Sequence, residues 1–171
     1  KGNHMDNIIV VSTHSKQTFA DIHYDAINTQ TNEQVKLKLT TPVKVANYPV
    51  KSYENIEELD LPLDYDFNFL VIAQFGPRKN LHNKIKWFVE EFYNDEVGLI
   101  VKSNIAKNCL LDRSRLSADL NRMMQSYSDK KCKVYLIHGD MTDAEIHSLY
   151  DHPKVKAFLA LPHGEGFGLP I

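Results

Sequence analysis

Apolar positions along the chain change their period several times, and each change predicts an element. Residues 7–12 (N-I-I-V-V-S) form a short apolar run of the kind that makes a buried strand. Residues 16–27 then carry Phe19, Ile22, Ala26 and Ile27 at helical spacing, completing a βα unit. Between residues 35 and 50 apolar and polar positions alternate, through V-K-L-K-L and V-K-V-A-N-Y-P-V, which predicts extended structure ending near Pro49. Residues 51–66 are acidic, contain Pro62 and read as a connector.

From residue 67 the pattern is regular. Apolar strands are predicted at residues 67–74, 97–102, 133–138 and 155–161. Between them lie helical stripes: Leu81, Ile85, Phe88 and Phe92; then Leu116, Leu120, Met123, Met124 and Tyr127; then Ile146, Leu149 and Tyr150. The last helix is announced by a capping-box sequence, Thr142-Asp143-Ala144-Glu145. Near-continuous apolar strands alternating with amphipathic helices predict an α/β fold: a Rossmann-like parallel sheet with helices on both faces, preceded by a small βα appendage.

Such a sheet binds ligands outside the carboxyl ends of its strands, so the loops there are the places to search. One is Pro162-His163-Gly164-Glu165-Gly166-Phe167-Gly168-Leu169-Pro170. It leaves a buried strand and ends in a proline, favoured in the first turn of a helix. Glycines let backbone approach a ligand, and a helix start attracts phosphate, so the segment reads as a diphosphate cradle. Glu165 would be repelled by a diphosphate and is expected to point past it, towards sugar hydroxyls; the alternative is a cap for the following helix. For the glycines the alternative is a tight structural turn.

The other loop is Gly76-Pro77-Arg78-Lys79-Asn80. Two adjacent cations at a helix N-terminus oppose the helix dipole, a conflict that a bound phosphate resolves and that extension into solvent also relieves. Lys102 reads as a further cation or a surface lysine, Gly139-Asp140 as a base contact or an ordinary turn, and His163 as a phosphate or sugar donor or a loop residue without a task.

Composition narrows the field. A formal net charge of -2 with dispersed lysines and arginines gives no footprint for nucleic acid. Two cysteines, Cys109 and Cys132, without C-x-x-C spacing predict reduced thiols in a cytoplasmic protein. No apolar run approaches the roughly 18 residues of a membrane span, nothing reads as a signal peptide, and no metal-ligand motif is present.

With these residues in view, the chain resembles the GT-B glycosyltransferases of family 4, whose carboxy-terminal Rossmann-like domain carries G-R-L-x-x-x-K-[GN] after its first strand and later E-G-F-G-L-P. The first motif reads here as Ala73-Gln74-Phe75-Gly76-Pro77-Arg78-Lys79-Asn80, and the second as Glu165 to Pro170. The resemblance implies a retaining hexosyltransferase that uses a UDP- or GDP-linked sugar, without a bound metal and without a separate cofactor, and an unknown glycosyl acceptor. It implies that Lys79 binds the donor diphosphate, that Glu165 contacts the donor sugar, and that Gln74, Gly76, Arg78, Gly164, Gly166, Phe167, Gly168 and Leu169 line the donor site.

It also implies three segments: residues 1–50 as a remnant of the acceptor-side domain with its crossing strand, 51–66 as linker, and 67–171 as an incomplete donor domain. Gln74 departs from the family, which has a phosphate-binding arginine there. The family's second, ribose-binding glutamate would fall just beyond Ile171. The chain therefore reads as a fragment, inactive in transfer on its own. The alternative reading is a non-catalytic nucleotide or sugar-nucleotide binding module.

Overall fold

The computed structural model describes residues 2–49, 51–54 and 58–165. The chain divides into two compact units, Lys1–Ser52 and Tyr53–Ile171.

In the first unit, β1 (Ile8–Val10) is followed by α1 (Thr13–Asp21), which Ser12 caps by accepting a hydrogen bond from the Ser15 amide. Strand β1 pairs in parallel with β4 (Val43–Val45), in the register Ile8↔Val43. The helix expected to run to Ile27 stops at Asp21. Ile22 is already extended, and His23–Ile27 form β2, which pairs antiparallel with β3 (Gln34–Lys38).

The correction has a physical cause. The Asn28 side chain accepts from the amides of Gln30 and Thr31, closing a turn that brings the alternating stretch of β3 back beside residues 23–27. A full ladder with β3 then outweighs four apolar residues at helical spacing. The extended region expected from residue 35 to 50 is likewise two short strands. They are separated where the Thr41 hydroxyl reaches the carbonyls of Gly2 and Met5.

The second unit holds one parallel sheet of four strands, β5 (Asn68–Ile72), β6 (Gly98–Lys102), β7 (Lys133–Ile137) and β8 (Val155–Phe158), in the order β7-β6-β5-β8. Helices α2 (Leu81–Glu91), α3 (Leu110–Met124) and α4 (Asp143–Tyr150) connect them. Alternate side chains face opposite ways. Phe69, Val71, Leu99 and Val101 pack against Ile85 and Phe88 of α2 and Leu120 of α3. Leu70, Ile72 and Ile100 pack on the other face against Leu149 of α4. The α/β fold with helices on both faces of a parallel sheet, compatible with a Rossmann-like arrangement, is therefore observed. The capping box is also present: Thr142 and Glu145 exchange side-chain to backbone hydrogen bonds.

Two features depart from the expected pattern. The strands are shorter than their apolar runs, β8 ending at Phe158 rather than 161. In addition, the acidic stretch before the sheet is more than a connector, since Leu59, Leu61 and Leu63 lie on the same face as α4 and Leu63 is buried.

At the amino-terminal edge of the sheet Asn68 is fully buried, and its amide nitrogen donates to the carbonyls of Tyr65 and Lys154, at 2.7 and 3.0 Å. The neighbouring strand opens at Gly98, whose hydrogen faces the Asn68 carboxamide. Tyr135 beside it bonds to Asp64, and burial pushes its phenol pKa up to about 12.

Candidate functional site

The strand order dictates where a ligand fits. From β5 the chain steps outward through β6 to β7, then returns past β5 to β8, so the loops after β5 and β8 diverge from neighbouring strands. That is the topological switch point of a parallel sheet, with the start of α2 directly above it. The two loops singled out in the sequence are these two.

They are tied together. The His163 amide donates to the Arg78 carbonyl at 3.0 Å, and the Arg78 guanidinium donates to the Gly164 carbonyl at 3.0 Å and to Glu165 Oε2 at 3.2 Å. Lys79 Nζ contacts the other Glu165 oxygen. Asn80, buried and left-handed at φ 55°, precedes α2; its side chain donates to the Leu161 carbonyl at 3.1 Å and accepts from Asn83 at 2.7 Å. Asparagine is among the few non-glycine residues that adopt this conformation readily. Asn80 thus fixes both the angle of α2 and its distance from the β8 loop. The sequence reading passed over that role.

The structure therefore brings Arg78, Lys79, Gly164 and Glu165 to one point, with Gly76 and His163 on the wall of an adjoining cleft of about 560 Å³. Three of the expected site residues are placed as follows. Glu165 points at the two cations, because two adjacent positive charges at a helix start attract the nearest carboxylate. Lys79 first, and Arg78 after it, hold the Glu165 carboxyl below the ordinary glutamate range. Gln74 lies apart from the cluster, its amide donating to the Ile105 carbonyl at 2.7 Å and so securing the loop after β6. Gly76 is extended (φ -164°) and a methyl group there would meet nothing within 4 Å, so the backbone does not demand glycine. Gly166, Phe167, Gly168 and Leu169 lie outside the described residues.

The adjoining loops after β6 and β7 are rigid for reasons the sequence did not disclose. Asp112, in the first turn of α3, accepts hydrogen bonds from the amides of Ile105, Ala106 and Lys107 at 2.8–2.9 Å and from His138 Nε2 at 2.9 Å. The Ile105 amide contributes most to holding its carboxyl far below the usual range, and His138 adds to it. Lys102 Nζ donates to the carbonyl of Gly139, the residue that uses glycine's left-handed freedom, at φ 113°. One wall of the crevice is thereby fastened from β5 through β6 to β7.

A stability test follows. Asp112 is more acidic folded than unfolded, so its stabilising contribution is complete above the unfolded carboxylate pKa of about 4 and fades as pH falls through and below it. Asp112→Asn is expected to lower the melting temperature at neutral pH and to flatten its decline between about pH 5 and 2. Melting curves across that range would contradict this if parent and variant fell in parallel.

Among the described residues no helix is long and apolar enough to cross a membrane, and no group of three or more His, Cys, Asp or Glu side chains is placed to hold a metal ion. Compared with known proteins, the chain matches no family model and no curated sequence.

Proposed function

We propose that the second unit is the donor half of a GT-B glycosyltransferase and that the parent protein transfers a hexose, with retention, from a nucleoside-diphosphate sugar to an acceptor held by another domain. The observation that carries this reading is the meeting of Arg78, Lys79 and Glu165 from two loops at the switch point, at the start of α2. Unpaired helix amides and two cations suit a diphosphate, and a carboxylate beside them suits the hydroxyls of an attached sugar. The resemblance of residues 73–80 and 165–170 to the family's two motifs points the same way.

In this reading Lys79 and the start of α2 stabilise the departing diphosphate, which is electrostatic rather than covalent catalysis. Glu165 exchanges the two cations for the sugar when the diphosphate takes its place. The loops after β6 and β7, braced by Asp112 and Lys102, flank the position of the base. The protein works in the cytoplasm, where sugar nucleotides are the activated donors.

Calorimetric titration of the chain with UDP, GDP and NAD tests the donor site. One of the two diphosphates is expected to bind at least about tenfold more tightly than NAD, a difference of about 1.4 kcal/mol. Preference for NAD over both would sink the proposal.

A further inference from the structure

The start of α3 sets an apolar pair and a group of cations at the surface. Leu110 and Leu111, side by side in its first turn, are 79% and 61% exposed, and neither belongs to the apolar clusters on the two faces of the sheet. Single exposed leucines are ordinary, whereas two adjoining ones at the tip of an element make a protruding apolar patch. Helix formation does not require leucine at either position, since polar helix formers serve as well on a turn that faces solvent.

The charges around this pair are nearly all of one sign once the chain is folded. Residues 107–122 carry Lys107, Arg113, Arg115 and Arg122 against Asp112 and Asp119. Folding turns Asp112 inward, where it is buried and accepts from three loop amides and from His138. Lys107, Arg113 and Arg115 stay exposed, and the Arg122 side chain, which Asp119 meets at 3.2 Å, is 75% exposed. Leu111, Arg115 and Arg122 are spaced by four and seven residues and so share one side of the helix, away from the buried Leu116 and Leu120. The bonds to Asp112 also fix residues 105–107 against the helix, so the patch is held in place and little order has to be gained on docking.

We propose that this face of α3 is a peripheral docking surface for an anionic membrane. Leu110 and Leu111 enter the boundary between headgroups and acyl chains, and the four cations lie over the lipid phosphates. The leucines decide between polyanions: a nucleic-acid backbone would use the cations and leave the apolar pair in water, whereas a bilayer uses both. At 15 residues α3 is too short to span, so the contact is made from one side. The inference does not depend on the donor-site reading.

Sedimentation with vesicles tests it, using phosphatidylcholine alone and phosphatidylcholine with about one third phosphatidylglycerol, at about 0.1 M salt. The parent chain should bind the mixed vesicles and bind the neutral ones at least about tenfold more weakly. Two double variants, Leu110→Gln with Leu111→Gln and Arg115→Gln with Arg122→Gln, should each cut partition onto the mixed vesicles by about tenfold or more. Glutamine keeps the helix and all four positions are exposed, so both variants should melt with the parent, which separates a lost surface from a lost fold. Absence of binding by the parent, equal binding to the two kinds of vesicle, or full retention in either double variant would overturn the assignment, and none of these results bears on the diphosphate site.

Discussion

Gly98→Ala is expected to destabilise the second unit by about 3 kcal/mol, combining overpacking with the loss of buried hydrogen bonds. A methyl group at that position would sit 1.9 Å from Asn68 Oδ1 and 2.8 Å from a Tyr135 ring carbon. Asn68 has nowhere to move, because its amide nitrogen is committed to Tyr65 and Lys154 and its backbone begins β5. Asn68 Oδ1 also lacks a hydrogen-bond partner among the described residues, so the carboxamide is already the least satisfied group in this part of the core.

The measurement is a double-mutant cycle by denaturant unfolding. Asn68→Ala alone should destabilise, but adding Gly98→Ala to it should cost clearly less than in the parent, because the closer clash has been removed and only the Tyr135 ring edge remains to give way. Additive effects would show that glycine is required at position 98 for a reason other than Asn68.

Lys79→Ala is expected to weaken binding of the preferred nucleoside diphosphate about 100-fold, about 2.7 kcal/mol, with little change in folding stability. The asymmetry arises because the Lys79–Glu165 pair is partly open to water, where an ion pair adds little to stability. A phosphate seated on the start of α2 would be drier and would depend on the lysine far more. The substitution also releases Glu165, which would then repel the phosphate. Glu165→Gln separates the two effects: it should retain or improve diphosphate affinity, since it removes a competing acceptor. Unchanged affinity in Lys79→Ala would refute a phosphate role for the lysine, and a large loss in Glu165→Gln would refute the competition.

Much of the second unit was legible in the sequence, because its strands are buried on both faces and its helices on one. Continuous apolar runs such as Phe69-Leu70-Val71-Ile72 and the stripe Leu81, Ile85, Phe88 state their surroundings directly. The candidate site was legible as two loops, since cations at 78 and 79 beside a helix start and a run of glycines from 164 both depart from their local setting, and the structure brings these loops together. What stayed hidden depends on partners far along the chain. Residues 23–27 become a strand only because residues 34–38 return beside them. Asp112 resembles an ordinary first-turn acid until three loop amides converge on it. Lys84 occupies a core position of the α2 stripe, yet its polar head assigns it to the surface in any reading by periodicity.

The leucines at 59, 61 and 63 bear on where the second unit can be cut. The regular pattern starts at residue 67, which is where an excised domain would naturally be begun. Such a cut would strip three apolar side chains from the cluster that Leu70 and Ile100 share with Leu149 of α4. A piece meant to fold by itself is therefore expected to need a start upstream of Leu59, so that this apolar cover is kept.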